Sequence, residues 1–578
     1  MTDPPSNATI AALFDELGDL YELDGAVVHR VVAYRNAAKS VREAPRSVAA
    51  MALDGKVTQL PGIGRTLEEK ILALIETGSI PAVEKLRAKF PPGLIDLTRL
   101  PGLGPKRARK LFDELDIDSL DALQAAAEEH RLRDVRGFGE KFEETVLASL
   151  AAGAGDAPRE RVLLSKALEI GDAIVDALRA HPASDRVQLA GSARRLTDAV
   201  KDLDIIATAS DPPALLAAFA ALDIIETASS PGENAARART HTGVSIDMRV
   251  VEPDQFGNLL QHFTGSKEHN MALREAAVRR GLHVSEYGLL DDSTGTTHRC
   301  ATEEEVYGLL GLPWIPPELR ENRGELALRN GQVPALVEHA DLKGDLHMHT
   351  TLSDGRNSAE EMALRARELG LAYIAITDHS ASHGFGNDVS PDALKKQIEE
   401  IRELDERIEG IRVLIGTETN IGTTGSPDYD DDLLAQLDWV IGSVHTSFAI
   451  GADAMTDRIV AAIEHPLIDA IGHPTGRKIT RRAPYAVDLD RVIDAAARTG
   501  TMLEINSAPD RRDLNDVNAR NAVQAGVRII VNSDAHGAET LIHTRWGVAT
   551  ARRAWLTKAD VANTLPWTKF AKLRKRAR

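Results

Sequence analysis

The sequence predicts a multidomain chain with an all-α N-terminal part, an α/β domain carrying acidic strands, and a second α/β region of barrel type. Three observations carry this. At 578 residues the chain exceeds what one hydrophobic core usually supports. A glycine turn recurs in its first quarter, each time ahead of a charged helical stretch. Beyond residue 340, short apolar strands end in His, Asp or Glu, the position at which barrels carry their reactive groups.

Composition bounds the rest. A hydrophobic share of 43% with 27% charged residues is that of an ordinary globular protein rather than a disordered or fibrous one. The single Cys300 cannot form an internal disulfide, and the start MTDPPSN lacks the basic and apolar regions of a secretory signal, which together predict the reducing cytoplasm. No apolar run is long enough to cross a bilayer. The net charge of −18 argues against a nucleic-acid partner only weakly, because it averages over domains and counts carboxylates that a bound cation would neutralise. Basic runs stand at Lys106-Arg107-Ala108-Arg109-Lys110 and in residues 569–578; the second reads as a loose, solvated terminus.

Up to about residue 150, Leu, Ile, Val and Ala recur at helical spacing with breaks at Gly and Pro, predicting short amphipathic helices. Leu60-Pro-Gly-Ile-Gly64, Leu100-Pro-Gly-Leu-Gly104 and Val135-Arg-Gly-Phe-Gly139 repeat one pattern, which makes chance improbable. A Gly-x-Gly turn entering a helix offers unpaired N–H groups and the positive end of the helix dipole, so Gly62, Gly64, Gly102, Gly104, Gly137 and Gly139 are candidate phosphate contacts, and the three turns resemble the helix-hairpin-helix motif of repair proteins, which implies non-specific binding of DNA. An aromatic share of 4% favours this backbone grip over base stacking.

Residues 151–158, rich in Ala, Gly and Asp, read as a linker. Beyond it, Val187-Gln-Leu-Ala, Leu203-Asp-Ile-Ile-Ala and Val244-Ser-Ile-Asp-Met-Arg-Val-Val predict strands. Alternation places Asp202 and Asp204 on one strand face, and a neighbouring strand could bring Asp247 beside them. Three carboxylates so close suit a pair of divalent cations and in-line phosphoryl transfer, with magnesium expected. Asp-x-Asp alone is weak; Gly191-Ser-Ala-Arg-Arg195 upstream makes it a nucleotidyl transferase signature.

These residues resemble the family X DNA polymerases, the DNA polymerase beta-like enzymes, over roughly the first 320 residues. By that resemblance Asp202 and Asp204 hold both metals (Mg2+ or Mn2+), and Asp247 holds the catalytic one and helps activate a primer 3′-hydroxyl. Arg161, Gly191, Ser192 and Arg195 would face the triphosphate; in His262-Phe-Thr-Gly-Ser266, Gly265 supports the incoming sugar, with Asn270 against the base and Arg274 toward the template. Two positions depart from the eukaryotic pattern: His262 stands where those enzymes carry Tyr, and Ser245 where they carry an Arg bonded to the third carboxylate. Val28-His-Arg-Val-Val-Ala-Tyr-Arg35 and the helix containing Lys70 resemble the family's lyase domain, with Lys70 at its Schiff-base position; an exposed helix lysine is the plain alternative.

A second constellation follows Asp345: His347, His349, Asp354, His379, Glu418, His445, His473, Asp534 and His536. His-x-His on a strand points both rings to one face, and His with Asp and Glu suits zinc, manganese or iron. In this order they resemble the polymerase-and-histidinol-phosphatase (PHP) domain, which implies a distorted (β/α)7-type barrel with up to three Zn2+ or Mn2+ ions. By that resemblance the expected reaction is phosphoester hydrolysis, as 3′→5′ exonuclease, 3′-end processing or cleavage at abasic sites.

The resemblance thus implies a helical lyase-like domain at 1–85, helix-hairpin-helix fingers at 86–155, a nucleotidyltransferase palm at 156–257, a thumb at 258–330 and the PHP domain at 340–578. The expected partners are gapped or primed DNA and dNTPs, with no membrane, and the expected role is gap filling in DNA repair. A small-molecule nucleotidyl transferase would share the Gly-Ser and Asp-x-Asp elements but has no use for the glycine turns. A DNA-binding scaffold with degenerate sites is disfavoured because every ligand position is filled.

Overall fold

A computed structural model describes residues 4–98, 100, 102–151, 161–229, 232–384 and 387–575. The linker assigned to 151–158 falls, beyond its first residue, outside them. The chain divides into two compact units: Met1–Glu160, Ile170–Gln188 and Lys201–Val251 form the first; Arg161–Glu169, Leu189–Val200 and Glu252–Arg578 form the second.

In the first unit the N-terminal part is helical, from Asn7–Leu23 to Glu140–Ala151. Its apolar positions face one core that includes Ile10, Phe14, Leu17, Val41, Ile71, Val83 and Leu111. The three glycine turns have a common build. Their middle residues Ile63, Leu103 and Phe138 are buried while the flanking glycines are exposed. The apolar residue therefore anchors the turn and leaves the backbone on either side open to solvent. Gly62, Gly102 and Gly137 take φ values of 77°, 77° and 95°, a region costly for any residue with a Cβ. Arg107 donates to the carbonyls of Gly102 (2.6 Å) and Gly137 (3.0 Å) and lies over the Phe138 and Phe142 rings. It ties the second and third turns together.

The same unit contains a five-stranded sheet, in spatial order Ser184–Leu189, Asp202–Ala209, Ser245–Val250, Ala235–Thr240, Ile225–Ala228. Asp202–Ala209 and Ser245–Val250 run parallel, and the register sets Asp204 beside Asp247 and Asp202 beside Ser245.

In the second unit, helices Phe256–Thr264, Lys267–Val278 and Glu303–Leu309 pack with a three-stranded antiparallel sheet, Leu282–Ser285, Gly288–Asp291 and Thr296–His298. A seven-stranded, all-parallel sheet follows in sequential order, from Gly344–Asp345 through Tyr373–Ile376, Arg412–Asn420, Trp439–Ser443, Ala470–Ile471 and Met502–Asn506 to Ile529–Asn532. A parallel bridge between Met348 and Ala535 brings its two edges together, giving the (β/α)7-type barrel. The strands are near-continuous apolar runs because both faces are covered. Ile374, Ile376, Val413 and Ile415 pack on the helices. The alternate residues Tyr373, Ala375, Leu414, Trp439 and Ile441 form a separate cluster with Phe570.

That cluster corrects the expectation of a loose terminus. Phe570 is fully buried, Arg574 lies over the Trp567 ring, and the Lys575 amide donates to Asp469 at 3.1 Å. Phe570, with Trp567 just before the tail, supplies apolar burial that the charge pattern conceals; of the tail, residues 576–578 lie outside the described residues.

Candidate metal centres and phosphate-facing turns

Each of the seven barrel strands delivers a candidate ligand at or just past its C-terminal end. His347 and His349 follow the first strand, His379 the second, His445 the fourth, His473 the fifth, and Asp534 and His536 the seventh; Glu418 lies in the third and Glu504 in the sixth. All nine expected ligands converge. Ligand atoms lie within 4.8 Å of one another in four groups: His349, Asp354, His379 and His536; His347, His349 and Asp534; His347, Glu418 and His473; His379, Glu418 and His445. The groups share His347, His349, His379 and Glu418, as a multinuclear centre requires.

Electrostatics fit cations at this place. Burial pushes the His349 imidazole down to about 4, helped by His379 and His536; burial and Arg511 take His473 to about 3. Both shifts favour the neutral ring that a metal ligand must be, whereas, against burial, the carboxylates of Glu504, Glu418 and Asp354 raise His347, His379 and His536. Burial also acts on Glu418, yet His445, His347 and His379 hold it well below the usual carboxylate range. The buried nitrogens His349 Nδ1 and His473 Nδ1 make no hydrogen bond among the described residues, and buried polar atoms of this kind call for a partner.

Glu504 was not singled out in the sequence. Its carboxylate accepts from His347 Nδ1 at 2.8 Å, from Asn532 at 3.0 Å and from the His473 amide at 2.7 Å. The bond to Nδ1 fixes the tautomer and leaves Nε2 for a cation. A charged residue inside the buried strand Met502–Asn506 was its one sequence signal. Asn506 likewise donates to Asp534 at 2.9 Å.

In the five-stranded sheet the register places Asp202, Asp204 and Asp247 as half-buried residues on one face of two adjacent strands. They are not among the four groups above. Arg237, opposite Asp247 in register, reaches it at 3.2 Å, and Arg249 at 3.3 Å. Two other arginines thus serve the carboxylate that Ser245 cannot.

The turn Gly191–Arg194 needs its glycine, at φ 63°. Arg194 forms a two-pronged pair with Glu303 at 2.8 and 2.7 Å. Arg195 is engaged by Glu321 (2.9 Å) and the Thr264 carbonyl (3.0 Å), and exposed Arg161 reaches the Ala199 carbonyl at 3.4 Å. Asn270 donates to the carbonyls of His262 and Gly265 and accepts from Gln261. A Cβ at Gly265 would stand 2.4 Å from the Asn270 oxygen, which explains that glycine. Arg274 lies 3.3 Å from His262 Nδ1. Lys70 is half-buried on helix Arg65–Thr77.

Four family descriptions match the chain: a helix-hairpin-helix domain at 5–80, a SAM-like helix-hairpin-helix tandem at 94–152, the DNA polymerase beta thumb at 259–321 and the PHP domain at 345–508. The DNA polymerase/3′-5′ exonuclease PolX of Bacillus subtilis (strain 168) is 37% identical over 556 residues, 96% of each chain. A probable phosphatase of Thermoanaerobacter sp. (strain X514) is 33% identical over 38% of this chain and 89% of its own length. With likeness running through nearly the whole chain and helix-hairpin-helix, polymerase beta thumb and PHP descriptions all matched, this protein belongs to the family X DNA polymerases that carry a C-terminal PHP domain.

Proposed function

We propose that this chain fills short gaps in DNA during repair and trims 3′ ends, as a DNA-directed DNA polymerase with 3′→5′ exonuclease activity. The observation that carries the reading is the parallel register that sets Asp204 beside Asp247, with Asp202 on the same face, in a chain whose barrel gathers a second, histidine-rich set of ligands.

In the five-segment organisation given above, the palm carboxylates Asp202, Asp204 and Asp247 hold Mg2+ or Mn2+. Arg161, Gly191, Ser192, Arg195, Gly265, Asn270 and Arg274 serve dNTP binding, and the exposed glycine turns bind the DNA backbone without reading sequence. The nine barrel ligands hold up to three Zn2+ or Mn2+ ions, which when bound lower the pKa of a water toward neutrality and shield the phosphate it attacks. Glu504 keeps the His347 ring oriented, and Asn506 does the same for Asp534. Among the described residues no helix is long and apolar enough to cross a membrane.

The test is a one-nucleotide gapped duplex incubated with each dNTP and Mg2+ or Mn2+, with extension and digestion read on one gel. Templated addition of one nucleotide supports the polymerase assignment, and shortening from the 3′ end supports the exonuclease. Failure to extend under either metal would overturn the first; failure to digest would overturn the second.

A further inference from the structure

Four consecutive residues just past the turn Gly191–Arg194 are each held by an arginine of the PHP domain. The Arg195 carbonyl accepts from Arg553 at 2.8 Å. The Leu196 and Thr197 carbonyls accept from the two terminal nitrogens of Arg512, both at 3.0 Å. The Asp198 carboxylate pairs with Arg477 at 2.7 Å and with Arg512 at 3.5 Å.

The grip is buried and braced. The Arg512 side chain is 1% exposed and its Nε donates to Thr550 on helix Thr544–Arg553 at 2.8 Å. Arg477 donates to the Arg512 carbonyl, and Arg553 also pairs with Glu321 at 2.8 Å, the carboxylate that holds Arg195. The held segment needs support, because Leu196 sits at φ 57°, a conformation costly for a branched side chain. The backbone of the turn is closed by local bonds, such as Thr197 N–H to the Ser192 carbonyl at 3.2 Å. The clamp is also continuous with the metal-ligand loops. Asp513, next to Arg512, accepts from the Thr475 amide and hydroxyl at 3.0 and 2.9 Å, two residues beyond His473.

We propose that Arg477, Arg512 and Arg553 of the PHP domain are positioning residues for polymerisation, holding the phosphate-facing turn of Ser192 and Arg195 in the shape that binds the incoming nucleotide. Nucleotide affinity in this enzyme then depends on a domain that carries a different reaction. The inference rests on the reading of Ser192 and Arg195 as triphosphate contacts.

The test uses the full chain with Arg512→Met, Arg512→Lys, Arg477→Met and Ser192→Ala. KM and kcat for one dNTP are measured on a one-nucleotide gap, and 3′ digestion of single-stranded DNA on the same preparations. Arg512→Met and Arg477→Met should raise KM for the dNTP by about tenfold, the scale of a lost hydrogen bond to a charged group, with kcat within about twofold and digestion retained. Arg512→Lys should recover part of the loss. If Ser192→Ala raises KM while both Met variants leave it unchanged, the clamp has no positioning role. If Ser192→Ala itself leaves KM unchanged, the nucleotide-binding reading of the turn fails instead. Should Arg512→Met not fold, Arg477→Met decides; parallel loss of extension, digestion and thermal stability in it would reduce the clamp to a scaffold contact and overturn the proposal.

Discussion

Replacing Glu303 with Gln should destabilise the second unit by about 3 kcal/mol. The Glu303 side chain is 4% exposed and faces two guanidiniums. Arg194 reaches it at 2.8 and 2.7 Å, and fully buried Arg320 at 3.1 Å through one nitrogen and more closely through the other. Burial alone would raise the carboxyl; the Arg320 and Arg194 charges reverse this and hold it at about 2 instead of 4.5. At about 1.4 kcal/mol for each tenfold in the proton equilibrium, that depression corresponds to about 3 kcal/mol in favour of the ionised, folded state. Removing one partner of a buried pair costs about 3–5 kcal/mol by a separate route, since Arg320 would lose the carboxylate charge that offsets its desolvation. Because the depressed carboxyl stabilises only while ionised, the contribution is complete above pH 4.5 and fades as pH falls toward 2. Urea unfolding followed by tryptophan fluorescence, to which Trp314 beside Glu303 contributes, measures the difference at pH 7 and again at pH 4 and below. A loss under about 1 kcal/mol, or a gap between the two proteins that widens on acidification, would refute the reasoning.

Asp204→Asn should abolish nucleotide addition and leave 3′ digestion intact, because the amide lacks the charge that the palm cations need; undiminished primer extension would contradict the triad. Gly64 and Gly104 have nothing within 4 Å of a built Cβ and ordinary backbone angles, so replacing both with Leu should preserve the fold while pushing DNA backbone away, and affinity by fluorescence anisotropy should drop alike for unrelated sequences. The double change His347→Ala and His349→Ala removes ligands from three of the four clusters; metal content and digestion should fall together, while extension, whose carboxylates lie in the other unit, persists. Borohydride should trap a covalent adduct on an incised abasic duplex if Lys70 is a lyase nucleophile, and an adduct indifferent to Lys70→Ala would return it to an ordinary helix lysine.

The sequence by itself determined which side chains of each candidate centre share a face. His-x-His, Asp-x-Asp and the Gly-x-Gly turns are local patterns whose periodicity already states which side chains share a face, and the structure gathers the nine barrel residues that the resemblance implied and sets Asp204 beside Asp247. What only the tertiary structure decided are the partners of those groups. Arg237 meets Asp247 through an antiparallel register, Glu504 meets His347 across 157 positions of chain, Arg512 meets Leu196 across 316, and Phe570 closes a cluster that its basic neighbours gave no hint of. A ligand set is constrained by the ion it must hold and so leaves a spacing that can be read locally. A supporting residue is constrained only by what lies beside it once strands have paired and domains have packed, and that proximity is written in no short stretch of the chain.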